Sequence, residues 1–191
     1  CIRDRPDLMA KLSVKKPKIR IELVSKSELP NLLKREADIA IRTFMPTQEN
    51  LFVRKVGEAK FGAYASQTYI ERRGIPISIT DLKDHDLIGE DHGMNTFTTS
   101  LQAIGLNLAN NSFSFRCDDY LVAWNLLVAG CGIGLTHVDK GDAEPRVERI
   151  LPDYQISLPV WLSSHRELKT SSRVRYVYDF IAKELSKLLP R

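Results

Sequence analysis

Apolar and polar positions alternate along KIRIELV. Ile19, Ile21 and Leu23 fall on one side, and Arg20 and Glu22 on the other. This is the period-2 spacing of a half-buried strand. Residues 8–16 ahead of it carry helical spacing and stop at Pro17, which cannot continue a helix. Ser27 is placed to cap a second helix, and Pro30 falls in its first turn, where proline costs little. That helix, ELPNLLKREA, runs into a short strand, DIAIR. Strand, helix and strand predict a βαβ unit with parallel strands and a right-handed crossover.

Further along, LFVRKVG and KFGAYAS read as two strands separated by residues 57–60. QTYIERRG is a short helix closed by Gly74, and a loop then leads to a strand from Asp86 to Gly89. Residues 96–104 suggest a helix ended by Gly105, and SFSFRC alternates as a strand. Asp118 or Asp119 is positioned to cap the helix YLVAWNLLVAG, which is apolar nearly all round and so is expected to be buried. IGLTHV and SLPVWLSS are strands. From Ser172 onward, Val174, Val177, Ile181, Leu185 and Leu188 share one helical face, the mark of an amphipathic helix docked on a core. The pattern predicts an α/β fold with at least two βαβ-like units, no internal repeats and no low-complexity linker.

The length of 191 residues allows one domain or two small lobes. An apolar fraction of 43% and a charged fraction of 27% are ordinary for a soluble globular protein. No apolar run approaches the roughly 20 residues that span a bilayer, and CIRDRPDL is no signal peptide. A chain opening on Cys1 reads as incomplete. The net charge of +4 is mildly basic, but Lys and Arg are interleaved with Asp and Glu. KKPKIR, the densest basic piece, is accounted for by a solvated surface, whereas nucleic-acid binders cluster such residues on one face. Cys1, Cys117 and Cys131 are an odd count without a secretory signal. That favours free thiols in a reducing, cytoplasmic compartment. A redox pair of Cys117 and Cys131 is the alternative to two small buried hydrophobes.

Three chemical motifs fail on context. GCGIG invites a dinucleotide reading, but that fingerprint follows a strand and opens a helix. Here the helix comes first, and Gly130 reads as its C-terminal cap. His85 and His92 lie among Asp84, Asp86, Glu90 and Asp91, yet no i, i+4 histidine pair and no nearby cysteine supports a zinc site. No G-x-S-x-G elbow is present. Nothing in the sequence argues for catalysis, a cofactor or a metal.

READIAIRTFMP, RKVGEAKFGAYASQTYIERRGIP, DLKDHDLIG, VAGCGIGLTHV and PVWLSSHRELKTSSRVRYVYDFIAKEL occur in this order. As an ordered set with these spacings they resemble the effector-binding domain of LysR-type transcriptional regulators, from about Leu8 to Leu188. The resemblance implies a fold like that of type 2 periplasmic binding proteins: two Rossmann-like α/β lobes joined by crossing strands, with an effector cleft between them. On that template lobe I is residues 1–62 plus 158–191 and lobe II is 63–157, with crossings near FGAYAS and ISLPV. It further implies a small-molecule effector, antiparallel homodimers, higher oligomers in the full-length protein and no membrane partner. DNA is contacted only through an N-terminal winged helix-turn-helix, which this chain does not contain. Family domains also open with a strand ahead of the first helix, and here that strand is missing. The competing reading is a free-standing solute-binding protein of the same fold.

In open α/β sheets ligands bind outside the carboxyl ends of strands. DIAIR ends on Arg42, followed by Thr43 and Phe44, a cation, a hydroxyl and an apolar wall facing the implied cleft. The bland alternative is a surface turn with Arg42 paired to Glu36 or Asp38. As a cleft-lining side chain, Arg42 should be replaceable without loss of the fold. The same rule selects Glu90, Asp91 and His92 after one strand, Asp119 after another, and Thr136 beside His137 at the end of GLTHV. Arg42 suits an anionic effector, because a guanidinium fork matches a carboxylate. Glu90 and Asp91 pull toward a cationic or hydroxylated one, which a protonated His92 would partly offset. His85 matches a family position that looks structural.

Overall fold

The computed structural model describes residues 6–16, 18–24, 37–90, 96–103, 107–108, 112–167 and 171–190. The elements are α1 (Pro6–Lys15), β1 (Ile39–Arg42), β2 (Leu51–Ser66), α2 (Gln67–Arg73), β3 (Leu87–Gly89), α3 (Thr96–Ala103), β4 (Phe113–Arg116), α4 (Tyr120–Val128), β5 (Gly134–His137), α5 (Val138–Asp142), β6 (Val147–His165) and α6 (Ser172–Leu188). A short 3-10 helix, Ile79–Asp84, precedes β3. The chain divides into two units, Cys1–Ala59 with Ser157–Arg191, and Lys60–Ile156. The divisions fall inside β2 and inside β6.

In the first unit β1 pairs antiparallel with β6, setting Ile39 opposite Ser164 and Arg42 opposite Trp161. The Ser164 hydroxyl donates to the Asp38 carbonyl at 2.8 Å. Of the face its spacing predicts, α6 buries Val177, Ile181 and Leu185, leaves Val174 half-buried and exposes Leu188 at its end. The Tyr178 hydroxyl ties it to β6 through the Leu162 carbonyl at 3.1 Å. α1 buries Leu8 and Leu12, one turn apart, and touches α6.

In the second unit β5 pairs antiparallel with β2, from Phe61 opposite His137 to Tyr64 opposite Gly134. β3 and β4 pair parallel with α3 between them in sequence, which is a βαβ unit. Leu87 also bridges Ile133 in parallel. Ala63, Tyr69, Leu82, Leu87, Leu101, Phe113, Ile133 and Ile150 belong to one buried core. α2 is closed as its sequence requires. The Ser66 hydroxyl accepts from the Tyr69 amide, and Gly74, at φ +79°, returns its amide to Ile70.

Several elements depart from expectation. Residues 19–24 form no strand, and Ile21, Leu23 and Val24 are exposed. Alternation sets the two faces of a strand but supplies no hydrogen-bonding partner. The expected helix after Ser27 lies outside the described residues, and the described partner of β1 is antiparallel. Gly57 does not break β2, which runs unbroken through 16 residues. It sits at φ +149°, where an added Cβ would fall 2.5 Å from Leu189 Cβ and 2.9 Å from the Pro190 carbonyl oxygen. The glycine marks a close backbone approach rather than a turn. SLPVWLSS is the end of a 19-residue strand, and α5 carries no helical spacing that the sequence could show. α4 is not buried all round: Leu127 is its one buried residue, and Leu121 and Val122 are exposed. Composition counts apolar residues; which of them are covered depends on the neighbours.

Candidate functional site

β1 alternates in burial. Ile39 and Ile41 are half-buried, whereas Ala40 and Arg42 are buried. Ala40 packs with Leu51, Ala37 and Val53. Arg42 therefore stands where the strand pattern places a core side chain, and it is only 7% exposed. Arg42 is thus packed into the fold, and its removal carries a stability cost that an exposed side chain would not. The guanidinium carbon lies 5.8 Å from the centre of the Phe44 ring. Burial lowers the Arg42 pKa below its ordinary value, yet a guanidinium stays charged. Thr43 and Phe44 are half-buried in the bend that follows, and Pro46 is buried. Glu36 lies outside the described residues.

In the second unit Glu90 follows β3 directly and is half-buried. Asp91 and His92 lie outside the described residues. Asp119 caps α4: its carboxylate accepts from the amides of Leu121 at 2.8 Å and Val122 at 3.1 Å, in the geometry that satisfies orphan donors of a first helical turn. Thr136 is buried, with its hydroxyl 3.0 Å from that of Tyr120. His85 is tied into the fold. The Tyr69 hydroxyl accepts from the Asp86 amide at 2.9 Å and lies 3.0 Å from His85 Nδ1.

Around Thr136 the structure gathers side chains that the sequence did not single out as a group. The rings of Phe61 and His137, opposite each other on β2 and β5, stack with centres 4.1 Å apart. Tyr120, the first residue of α4, meets His137 edge-on at 6.2 Å. The ammonium of Lys140 on α5 lies 4.5 Å from the centre of the Tyr120 ring and 4.2 Å from that of Trp124. Phe61, Tyr120, Trp124, His137 and Lys140 are each half-buried. Of these, His137 had a sequence signal as the neighbour of Thr136, and Tyr120 as the residue after a cap. Lys140 had none, because α5 is too short to show a period.

α5 is itself held from beneath. The buried Tyr64 hydroxyl donates to Asp142 at 2.6 Å and accepts from Arg149 Nε at 3.0 Å, while Arg149 pairs with Asp142. Burial first, and then the Asp142 carboxylate, push the Tyr64 pKa above the ordinary phenol value. Gly141 packs so tightly on this ring that a Cβ there would lie 2.3 Å from it. Among the described residues no group of three or more His, Cys, Asp and Glu is arranged to hold a metal ion, and no helix is long and apolar enough to cross a membrane.

Comparison with known proteins gives one consistent answer. The pattern of the LysR substrate binding domain matches residues 5–186. The HTH-type transcriptional regulator CrgA of Neisseria meningitidis serogroup B is 29% identical over 189 residues, covering 95% of this chain and 62% of that protein. The chain thus spans less than two thirds of the length of this curated relative. The solved CrgA regulatory domain superposes with a TM-score of 0.82 at 28% identity, covering 94% of this chain and 91% of that one. The effector domain of the transcriptional regulator AmpR of Pseudomonas aeruginosa has a TM-score of 0.73 at 17% identity over 98% of this chain and 89% of that one, a likeness of fold alone. The architecture is therefore the type 2 periplasmic-binding-protein-like fold of LysR regulatory domains.

Proposed function

As the chain belongs to the LysR substrate binding domain family, we propose that it is the effector-sensing regulatory part of a bacterial LysR-type transcriptional regulator. The relatives are named as transcriptional regulators, which favours this reading over a solute-binding protein. In this reading the units are the two lobes of the effector-binding domain, the chain acts as a homodimer, and DNA is contacted by a segment outside it. The effector is a small molecule with an anionic group. Arg42, Thr43 and Phe44 serve it in the first unit, and Glu90 and Thr136 in the second, together with Asp91 and His92 of the segment after Glu90; the Asp119 carboxylate, taken up by the first amides of α4, drops out of the set.

The observation that carries the assignment is Arg42, a guanidinium kept 7% exposed at the carboxyl end of β1 beside an aromatic ring. A charge in such low-dielectric surroundings attracts a carboxylate more strongly than an exposed one does. Hydrogen bonds to charged groups contribute about 1.5–3 kcal/mol, so Arg42→Ala should weaken binding roughly 10- to 150-fold. A thermal-shift screen against metabolites identifies a binder, since ligand at a hundred times Kd stabilises by about 2.7 kcal/mol. Calorimetry on wild type and Arg42→Ala then decides. Unchanged affinity in a folded variant would remove Arg42 from the site.

A further inference from the structure

We propose that Phe61, Tyr120 and His137, with Thr136 beneath and Trp124 and Lys140 beside them, form an aromatic subsite that selects a planar, conjugated carboxylate over a saturated one. This rests on the effector-site reading above and names the ligand class for the second unit.

Four elements deliver these side chains to one place. Phe61 and His137 are fixed by the β2–β5 register, Tyr120 and Trp124 by the capped helix α4, and Lys140 by α5. A helix this apolar would ordinarily bury its aromatic residues, yet Tyr120 and Trp124 remain half-buried. Trp124 packs in part against the core of Tyr64, Ile88, Leu127 and Val147, and both rings keep some exposed surface. The buried Thr136 hydroxyl, 3.0 Å from that of Tyr120, orients the phenol. The cluster lies at the carboxyl end of β5 and the first two turns of α4. Ligand sites are walled by apolar and aromatic groups with a few polar ones that set orientation.

The rings decide the class. Their π systems favour offset or edge-on contact with another flat ring, a preference of about 0.5–1.5 kcal/mol per pair beyond area burial, whereas a saturated ring gains only the area. The Lys140 ammonium supplies the charge for an acid group at the rim. Asp119, the acid adjacent to Tyr120, is engaged by the α4 amides, which offsets its repulsion.

The test compares benzoate and 2-naphthoate with cyclohexanecarboxylate and decahydronaphthalene-2-carboxylate on the whole chain by calorimetry. Each flat acid should bind about 2- to 12-fold tighter than its saturated counterpart for one ring contact. Phe61→Leu and Tyr120→Leu, checked for fold by circular dichroism, should bring the ratio of flat-acid to saturated-acid affinity to about one. In Trp161→Phe, Trp124 is the one tryptophan left, and its emission should change on saturation with 2-naphthoate. Equal affinity for flat and saturated acids, with both weakened by Arg42→Ala, would overturn the aromatic subsite and leave the effector-site reading standing. A preference that survives both ring variants, or that leaves Trp124 silent, would also overturn it. Failure of all four acids to bind would overturn the aromatic subsite and leave the effector-site reading to the metabolite screen and Arg42→Ala.

Discussion

Replacing Tyr64 by Phe tests what holds α5, and with it Lys140, in position. The ring is fully buried and would remain so; only the hydroxyl goes. In the native chain that hydroxyl donates to Asp142 at 2.6 Å, accepts from Arg149 Nε at 3.0 Å and lies 3.2 Å from the Val138 carbonyl, so it meets both ends of α5. Two of these contacts involve charged partners, each worth about 1.5–3 kcal/mol in mutational series. Asp142 and Arg149 keep each other, so no charge is stranded, and the net loss should be about 2 kcal/mol. For a chain of 191 residues that is a fall in Tm of about 4–8 °C. Urea unfolding of wild type, Tyr64→Phe, Asp142→Asn and the double variant would give the coupling between the two groups. A Tyr64→Phe midpoint equal to wild type, with unchanged m, would refute the reasoning, and so would strict additivity in the cycle.

Gly57→Ala should destabilise the chain by about 1–3 kcal/mol and raise amide exchange at Glu58, whose amide donates to the Pro190 carbonyl at 2.8 Å; unchanged exchange there would contradict the close approach. Gly141→Ala should cost about 1–3 kcal/mol by overpacking against the Tyr64 ring, measured by the same unfolding curves. Burial raises the Tyr178 pKa to about 12 and also raises that of Tyr64. A phenol held protonated in the folded state contributes stability that is complete below the unfolded value of about 10 and is lost as pH rises toward the folded one. Wild type should therefore lose stability steadily above about pH 10, and Tyr178→Phe should lose it less steeply, as read by urea midpoints between pH 9 and 11.5. The isolated chain should be a dimer by light scattering at micromolar concentration, the commonest closed symmetry. It should show no sequence-selective DNA binding in 150 mM salt, because its basic residues are interleaved with acids rather than gathered on one face.

Local order was legible in the sequence where a repeat or a cap states it. The 3.6-residue period from Ser172 placed Val177, Ile181 and Leu185 on the buried face of α6. The cap before Tyr120 placed the start of α4, and DIAIR placed a strand ending on Arg42. The ordered motifs carried the family, and with it the fold. Tertiary structure alone decided the rest. Residues 19–24 alternate as a strand should but form none, since a strand exists only in its pairing. Gly57 looked like a break and is a point of approach for residues 189–190, partners more than a hundred positions away. Arg42 was visible as a cation at a strand end; that it is buried follows from what packs around β1. The rings around Thr136 come from β2, α4 and β5, with Lys140 from α5, elements that only the β2–β5 register and the placing of the two helices bring together. Side-chain period is set within a few residues of chain, whereas burial and strand pairing are set by contacts between distant ones.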